Sequence, residues 1–273
     1  MSGPVGRAYH QLVAAGELKR DPAQERAVAA LDRLAAELQS NGGNFLRKLF
    51  KNSQSDLAGV YLWGGVGRGK SMLMDLAFDH VEVRPRRRVH FHAFMLEVHA
   101  RLREKRKDEE GDPLERVAAD IGNEVKLLCF DEMVVNNPAD AMILSRLFEH
   151  LLERGVRVVT TSNRPPRDLY KDGLNRELFV PFIHLIEKSF EVVEVNGATD
   201  YRLHRLAGVK VWHVPNGAEA TRALSDAFFK LTDYPVEDRA KVPTEELPVG
   251  GGRTLHVPKS LKGVAVFSFK RLV

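Results

Sequence analysis

One cysteine, Cys129, stands in 273 residues, so a disulfide framework is excluded and a reducing compartment fits. No apolar run approaches the roughly 18 residues that a membrane-spanning helix needs. Residues 1–20 carry neither an apolar signal core nor an Arg/Ser-rich amphipathic pattern, so no secretory leader is read and a cytoplasmic protein is expected. There is no internal repeat at the periods of solenoids or propellers. Neither charge dominates: 41 basic against 37 acidic residues give +4, with a pI near 9.1. That balance permits an anionic partner, nucleic acid or a membrane surface, without demanding one. What is present, 44% hydrophobic and 29% charged residues, is the composition of a globular chain long enough for a sizeable core.

Along the chain, residues 22–39 read as a helix. Asp21 is a good N-cap, Pro22 fits the first helical position, Gln24 stands where a capping box would close, and Asn41-Gly42-Gly43 ends it; whether Asp21–Gln24 also contacts a nucleotide base stays open, capping explaining the string about as well. A short second helix is expected over 45–50, then a polar connector to Asp56. From there strands expected at 59–63, 88–93, 126–130, 156–161 and 190–195 alternate with helices at 72–80, 95–107, 138–154 and 176–188. That alternation implies an α/β fold with right-handed crossovers and a mostly parallel five-stranded sheet covered on both faces. Beyond about 201 the pattern changes to a strand at 209–214, a helix at 217–231 and strands at 254–257 and 264–269, with Gly250–Gly252 as a flexible approach. The expected division is an N-terminal helical segment (1–55), a core (56–200) and an α+β extension (201–273), the last expected to be incomplete.

The strongest signal is Gly64-Gly65-Val66-Gly67-Arg68-Gly69-Lys70-Ser71, a complete G-x-x-x-x-G-K-[ST] string between the apolar run 59–63 and the helical pattern from Met72. Glycines let backbone N–H groups curl around a polyphosphate, and the following helix points its positive end at the same anion. Residues 64–72 therefore read as a nucleotide-phosphate site, with Lys70 reaching the β- and γ-phosphates and Ser71 holding Mg²⁺. Sixty-one residues on (131 − 70), Leu127–Phe130 runs into Asp131-Glu132, a buried strand delivering two acids at its C-terminal end. Asp131 is read as a Mg²⁺ residue and Glu132 as the base for the attacking water. Asn163, at the end of the strand expected over 156–161, is the candidate for sensing the γ-phosphate, against a plain turn at Asn163-Arg164-Pro165. Arg176 is the candidate cation reaching a neighbouring subunit's nucleotide, with Arg164, Arg167 and Arg202 as alternatives. ATP is preferred over GTP because no Asn-Lys-x-Asp guanine-reading string occurs.

Three further features point to structure rather than chemistry. His90 and His92 are expected to alternate on a strand, without the Cys, Asp or Glu that would complete a metal site. Arg84–Arg88 reads as a solvated edge rather than a nucleic-acid patch, and the charge run 104–112 as a helix end and loop.

These strings resemble the ZapE-type AAA+ ATPases, a family that includes bacterial cell-division ATPases and mitochondrial relatives. The matching stretches are Gly59–Asp75, His90-Phe91-His92-Ala93-Phe94-Met95, Leu128–Glu132, Ala139–Leu144, Thr161–Pro166, Leu169-Tyr170, Gly173-Leu174-Asn175-Arg176 and Asp200-Tyr201-Arg202. The resemblance runs from about Tyr9 to the end, and the string from Gly173 to Phe182 is more specific to the family than the phosphate loop. It implies an AAA+ module active as a homo-oligomer, hexameric by family habit, with sites at subunit interfaces. It also implies a protein partner in division at the membrane or in protein quality control. The chain departs from the family at Met133–Pro138, where Phe-Gln-Val-Thr-Asp-Ile is usual. Family members also run on beyond Val273, through a part that would contribute to the lid. Two other readings remain open at this stage: a nucleic-acid-binding helicase-loader-like protein, and a chain that binds nucleotide without hydrolysing it.

Overall fold

The computed structural model describes residues 2–40, 57–107, 111–196, 212–215, 217–232, 241–249, 253–261 and 264–267. The chain divides into two compact units, Met1–Asp200 and Tyr201–Val273. In the first, α1 (Pro4–Ala14) and α2 (Pro22–Ser40) precede β1 (Gly59–Trp63) and α3 (Lys70–His80). Then come β2 (Arg86–His90), α4 (Phe91–Lys105), α5 (Pro113–Glu124), β3 (Leu127–Asp131), α6 (Pro138–Glu153), β4 (Arg157–Ser162), α7 (Val180–Ser189) and β5 (Phe190–Glu194). Single 3₁₀ turns occupy Pro166–Asp168 and Arg176–Leu178.

The five strands form one parallel sheet in the order β2-β3-β4-β1-β5. Every connection is therefore a crossover, and helices cover both faces. Tyr61, Leu128, Phe130 and Val158 face one side and pack under α4–α7. Val60, Leu62, Leu127, Cys129 and Val159 face the other, under α1, α2 and α3. This is the period of two expected of a pleated strand. The register sets Trp63 beside Ser162 and Phe130 beside Thr160, so β1, β3 and β4 end together along one edge.

Local chemistry accounts for the element ends. Asp21 caps α2, its Oδ1 accepting from Ala23 N at 2.7 Å and Gln24 N at 3.3 Å. Asp112 and Asn137 do the same for α5 and α6, each followed by proline in the first turn. Asp32, from the middle of α2, accepts from Gly3 N at 2.8 Å and Val5 N at 2.9 Å and so caps α1 from outside. These last contacts fix α1 against α2 and make the N-terminal helices part of the unit that holds the sheet.

Four expectations are corrected. The second strand is 86–90, not 88–93: Phe91, Phe94, Met95, Val98 and Leu102 repeat at helical spacing and are buried, so the helix begins at Phe91. His90 is consequently the N-cap and His92 an exposed first-turn residue, and the two do not share a strand face. The helix expected at 176–188 is a 3₁₀ turn followed by α7 at Val180–Ser189. Helices α1 and α5 were not foreseen, although Val5, Ala8 and Tyr9, and Leu114, Val117, Ala118 and Ile121, carry helical spacing.

The second unit contains α8 (Ala218–Thr232), the antiparallel pair β6 (Glu245–Val249) and β7 (Arg253–Val257), and the short pair β8 (Ser260–Leu261) and β9 (Val264–Ala265). Phe228, Phe229 and Val242 form its small core with Leu261, Val264 and Val266. Of the strand expected at 209–214, residues 212–214 are not extended into a sheet and Trp212 is 77% exposed. Residues 209–211, the helix expected at 45–50, the connector to Asp56, Gly250–Gly252, Arg202 and the end of the strand expected at 264–269 lie outside the described residues. Among the described residues no helix is long and apolar enough to cross a membrane.

Candidate functional site

The loop between β1 and α3 turns where glycine is required. Gly64 has φ +152° and Gly69 φ +86°, and a Cβ on either would collide, with Val195 O at 2.4 Å and Gln24 Nε2 at 2.7 Å. Lys70, only 8% exposed, folds back over the loop. Its Nζ donates to Gly64 O at 2.9 Å, Gly65 O at 2.7 Å and Asn163 Oδ1 at 3.0 Å. The last bond joins the phosphate loop to Asn163, which directly follows β4. Ser71 lies exposed in the first turn of α3. Met72 is partly buried against the aliphatic core, its Cε 3.4 Å from where a Gly69 Cβ would stand.

Asp131 ends β3 with its carboxylate almost buried, and both its oxygens accept from Arg88: Nε to Oδ2 at 2.7 Å and Nη2 to Oδ1 at 3.2 Å. Glu132 follows in the left-handed region at φ +52°, a conformation costing about 1–2 kcal/mol for a residue with a Cβ. Three bonds hold it there: Glu132 N to Thr161 Oγ1 at 3.0 Å, Met133 N to Thr161 O at 2.7 Å, and Ser162 Oγ to Met133 O at 2.9 Å. The turn buries Met133 and leaves Glu132 exposed. Backbone strain sustained this way is characteristic of functional positions. In the stretch that departs from the family pattern, Met133 and Val135 fill the core and Asn137 caps α6.

Arg176 is not joined to this cluster. Its Nη2 donates to Arg167 O at 2.7 Å, and its Nε is buried without a hydrogen-bond partner. Arg167 pairs with Glu187 at 2.8 Å, and the Arg164 carbonyl accepts from the Tyr61 hydroxyl at 2.9 Å. Burial pushes the Tyr61 phenol above its usual range and the Cys129 thiol up to about 12, so neither is an acid, base or nucleophile near neutrality.

Three contributors, Asn196, Arg88 and Asp75, were missed as site residues, and a fourth, Gln24, stood open between base contact and helix capping. Gln24, fully buried, does not close a capping box but donates from Nε2 to Arg68 O at 3.1 Å, tying α2 to the phosphate loop. Asn196 Oδ1 accepts from Gly65 N at 2.8 Å. Arg88 holds Asp131, and also pairs with Asp75 on α3. Of the three missed, only Asp75 gave a local hint, four residues after Ser71 and so on the same helix face. The basic run is not a solvated edge. Arg86 bonds Val81 O at 2.9 Å and lies over the Phe78 ring, Arg87 pairs with Glu97, and Arg88 pairs as above. Among the described residues no cluster of three or more His, Cys, Asp or Glu side chains suits a metal on its own. His99 Nε2 instead meets Asp140 at 2.5 Å.

The donor set suits a nucleoside triphosphate with a divalent cation. At Gly64 and Gly69 the cradle admits no side chain, Lys70 and Asn163 meet over it, Ser71 opens the helix that follows it, and Asp131 ends the strand beside β4.

A family model for AFG1-like ATPases matches residues 4–273. An uncharacterised protein of Schizosaccharomyces pombe is 36% identical, over 97% of this chain and 65% of its own length. The cell division protein ZapE of Escherichia coli K12 is 37% identical, over 80% of this chain and 61% of its own. Among solved structures, a DNA replication initiation factor aligns at 15% identity with a TM-score of 0.49, over 81% of this chain and 65% of that one. The chain thus spans under two thirds of the length of these curated relatives. With the matched model covering nearly all of its residues, the chain belongs to the AFG1-like ATPase family.

Proposed function

We propose that this protein is a Mg²⁺-dependent ATP hydrolase of the AAA+ type that couples turnover to remodelling a protein partner. The observation that carries the reading is the Lys70 ammonium, bonded at once to the phosphate-loop carbonyls and to Asn163. One cation links the phosphate cradle to the strand beside Asp131 and Glu132.

In this reading the backbone of residues 64–72 binds the phosphates, and Lys70 exchanges its loop carbonyls for phosphate oxygens. Asn163, already in contact with Lys70, orients the γ-phosphate and the attacking water. Glu132 accepts that water's proton. Ser71 and Asp131 hold Mg²⁺, which supplies charge neutralisation on the transferring phosphate. Arg176 completes the site of a neighbouring copy in a homo-oligomer, hexameric by analogy. Leu174 and Leu178, 71% and 49% exposed on either side of it, make an apolar surface suited to such a contact. The ZapE relative suggests a partner in the division machinery, with quality-control substrates and peripheral membrane contact as further options. The internal partners of Arg86, Arg87 and Arg88 favour a protein partner over nucleic acid.

Mixing tests the shared site. Glu132→Gln and Arg176→Ala are each expected to hydrolyse poorly, and their mixture faster than either, because some interfaces pair an intact glutamate with an intact arginine. A mixture no faster than the sum of its parts would remove Arg176 from the site. Hydrolysis in the Glu132→Gln protein equal to the parent would remove the catalytic assignment.

A further inference from the structure

We infer that Arg88 is a built-in counter-cation for Asp131, which Mg²⁺ must displace and which Asp75 receives. The inference rests on the reading that Asp131 holds Mg²⁺.

Arg88 belongs to β2, which among the described strands stands at the edge of the sheet beside β3. An edge strand can turn a charge to water at little cost. This side chain turns instead to the face that carries α3. There it meets two carboxylates of different need. The Asp131 side chain is 11% exposed, and an ionised carboxylate so buried requires a cation. Arg88 supplies one through the two-pronged contact at 2.7 and 3.2 Å, engaging both oxygens. The Asp75 side chain is 45% exposed, and water alone would satisfy it, yet it pairs with the same guanidinium.

The placement gives the pair a direction. Asp75 stands one helical turn after Ser71, so Arg88 joins the carboxylate that ends β3 to a carboxylate on the helix that carries Ser71. A metal drawing on Asp131 competes with Arg88 for oxygens already engaged. The guanidinium can yield one carboxylate and keep the other, so no charge is stranded. Arg88 thereby neutralises Asp131 before metal arrives, and Asp75 lowers the cost of letting go.

The test is the Mg²⁺ dependence of equilibrium binding of a fluorescent ATP analogue to the full chain, read by anisotropy, with thermal melting to confirm folding. Arg88→Gln is expected to lower the Mg²⁺ concentration for half-maximal effect by about tenfold, the size of one charge-assisted contact. Asp75→Asn is expected to raise it several-fold, and to have no effect in the Arg88→Gln background. An unchanged or raised Mg²⁺ requirement in Arg88→Gln overturns the inference. So does an Asp75→Asn effect that persists in the Arg88→Gln background. An unchanged or lowered Mg²⁺ requirement in the single Asp75→Asn variant also overturns it, and that arm serves if Arg88→Gln fails to fold. Asp131→Asn separates the two levels of claim. If it leaves the Mg²⁺ dependence intact, Asp131 is not at the metal and the underlying reading falls as well. If it abolishes that dependence while Arg88→Gln changes nothing, the inference about Arg88 alone falls.

Discussion

The two faces of the sheet are packed by different chemistry. Under α4–α7 lies an aromatic cluster in which Phe130 touches Phe91, Phe94 and Phe148, Phe148 touches Phe182, and Phe179 bridges Phe182 and Tyr170. Under α1–α3 the core holds one fully buried ring among the described residues, Tyr9, and is otherwise mostly aliphatic and small: Ala27, Ala30 and Ala35 are fully buried, with Leu31, Leu73 and Met74. Large rings bury much area in fixed geometry and suit a support. Alanines let helices approach closely, and here they bring α2 near enough for Gln24 to reach the phosphate loop. Lys70, Asp75, Arg88 and Asp131 all belong to this second side. The chemistry sits on the face packed with small residues, and the aromatic face holds the sheet beneath it.

That contrast can be broken in several ways, beginning with the largest expected effect. Glu132→Gln should lower ATP turnover by about 10²- to 10⁴-fold, the range for losing a general base. Its melting temperature and nucleotide affinity should stay near the parent's, since the side chain is exposed. Phe148→Ala, on the aromatic face, should cost about 3–5 kcal/mol in denaturant unfolding while leaving nucleotide affinity unchanged in the folded fraction. Ala27→Leu, on the other face, should cost about 1–3 kcal/mol by overpacking and should also weaken nucleotide binding, because α2 moves with Gln24. If both faces gave the same pattern, the division of labour would be wrong. Gln24→Ala should weaken nucleotide binding by roughly tenfold or less, the worth of one loop-positioning hydrogen bond, with little change in turnover at saturation. The smallest effect concerns Cys129. Its buried thiol, with its pKa pushed up to about 12, should resist alkylation at pH 8 in the native protein and react readily in urea.

The part of the site that was legible in the sequence is local. Glycines at Gly64 and Gly69, the Lys70-Ser71 pair and the Asp131-Glu132 step declare themselves because each is a short string with one conformational or chemical reason. The five strands were visible from apolar runs, with the largest shift at β2, where three arginines on an edge strand hid the start and His90-Phe91-His92 imitated its continuation. What stayed hidden is pairing across distance. Gln24 lies 44 residues from the carbonyl it holds and Arg88 lies 43 residues from Asp131. For Gln24 helix capping is as good a local explanation as contact with a base, and Arg88 has one as part of a basic run. Helices α1 and α5 carry helical spacing as well, but α5 follows closely on the charge run 104–112, whose polarity reads as loop.

The measurement that bears most directly on the whole account is steady-state ATP hydrolysis by this chain with Mg²⁺, across a range of protein concentration, beside Lys70→Ala. The account predicts specific activity that climbs with concentration and is lost in the variant. Hydrolysis at the same rate in Lys70→Ala, or none at any concentration in the parent, would contradict it.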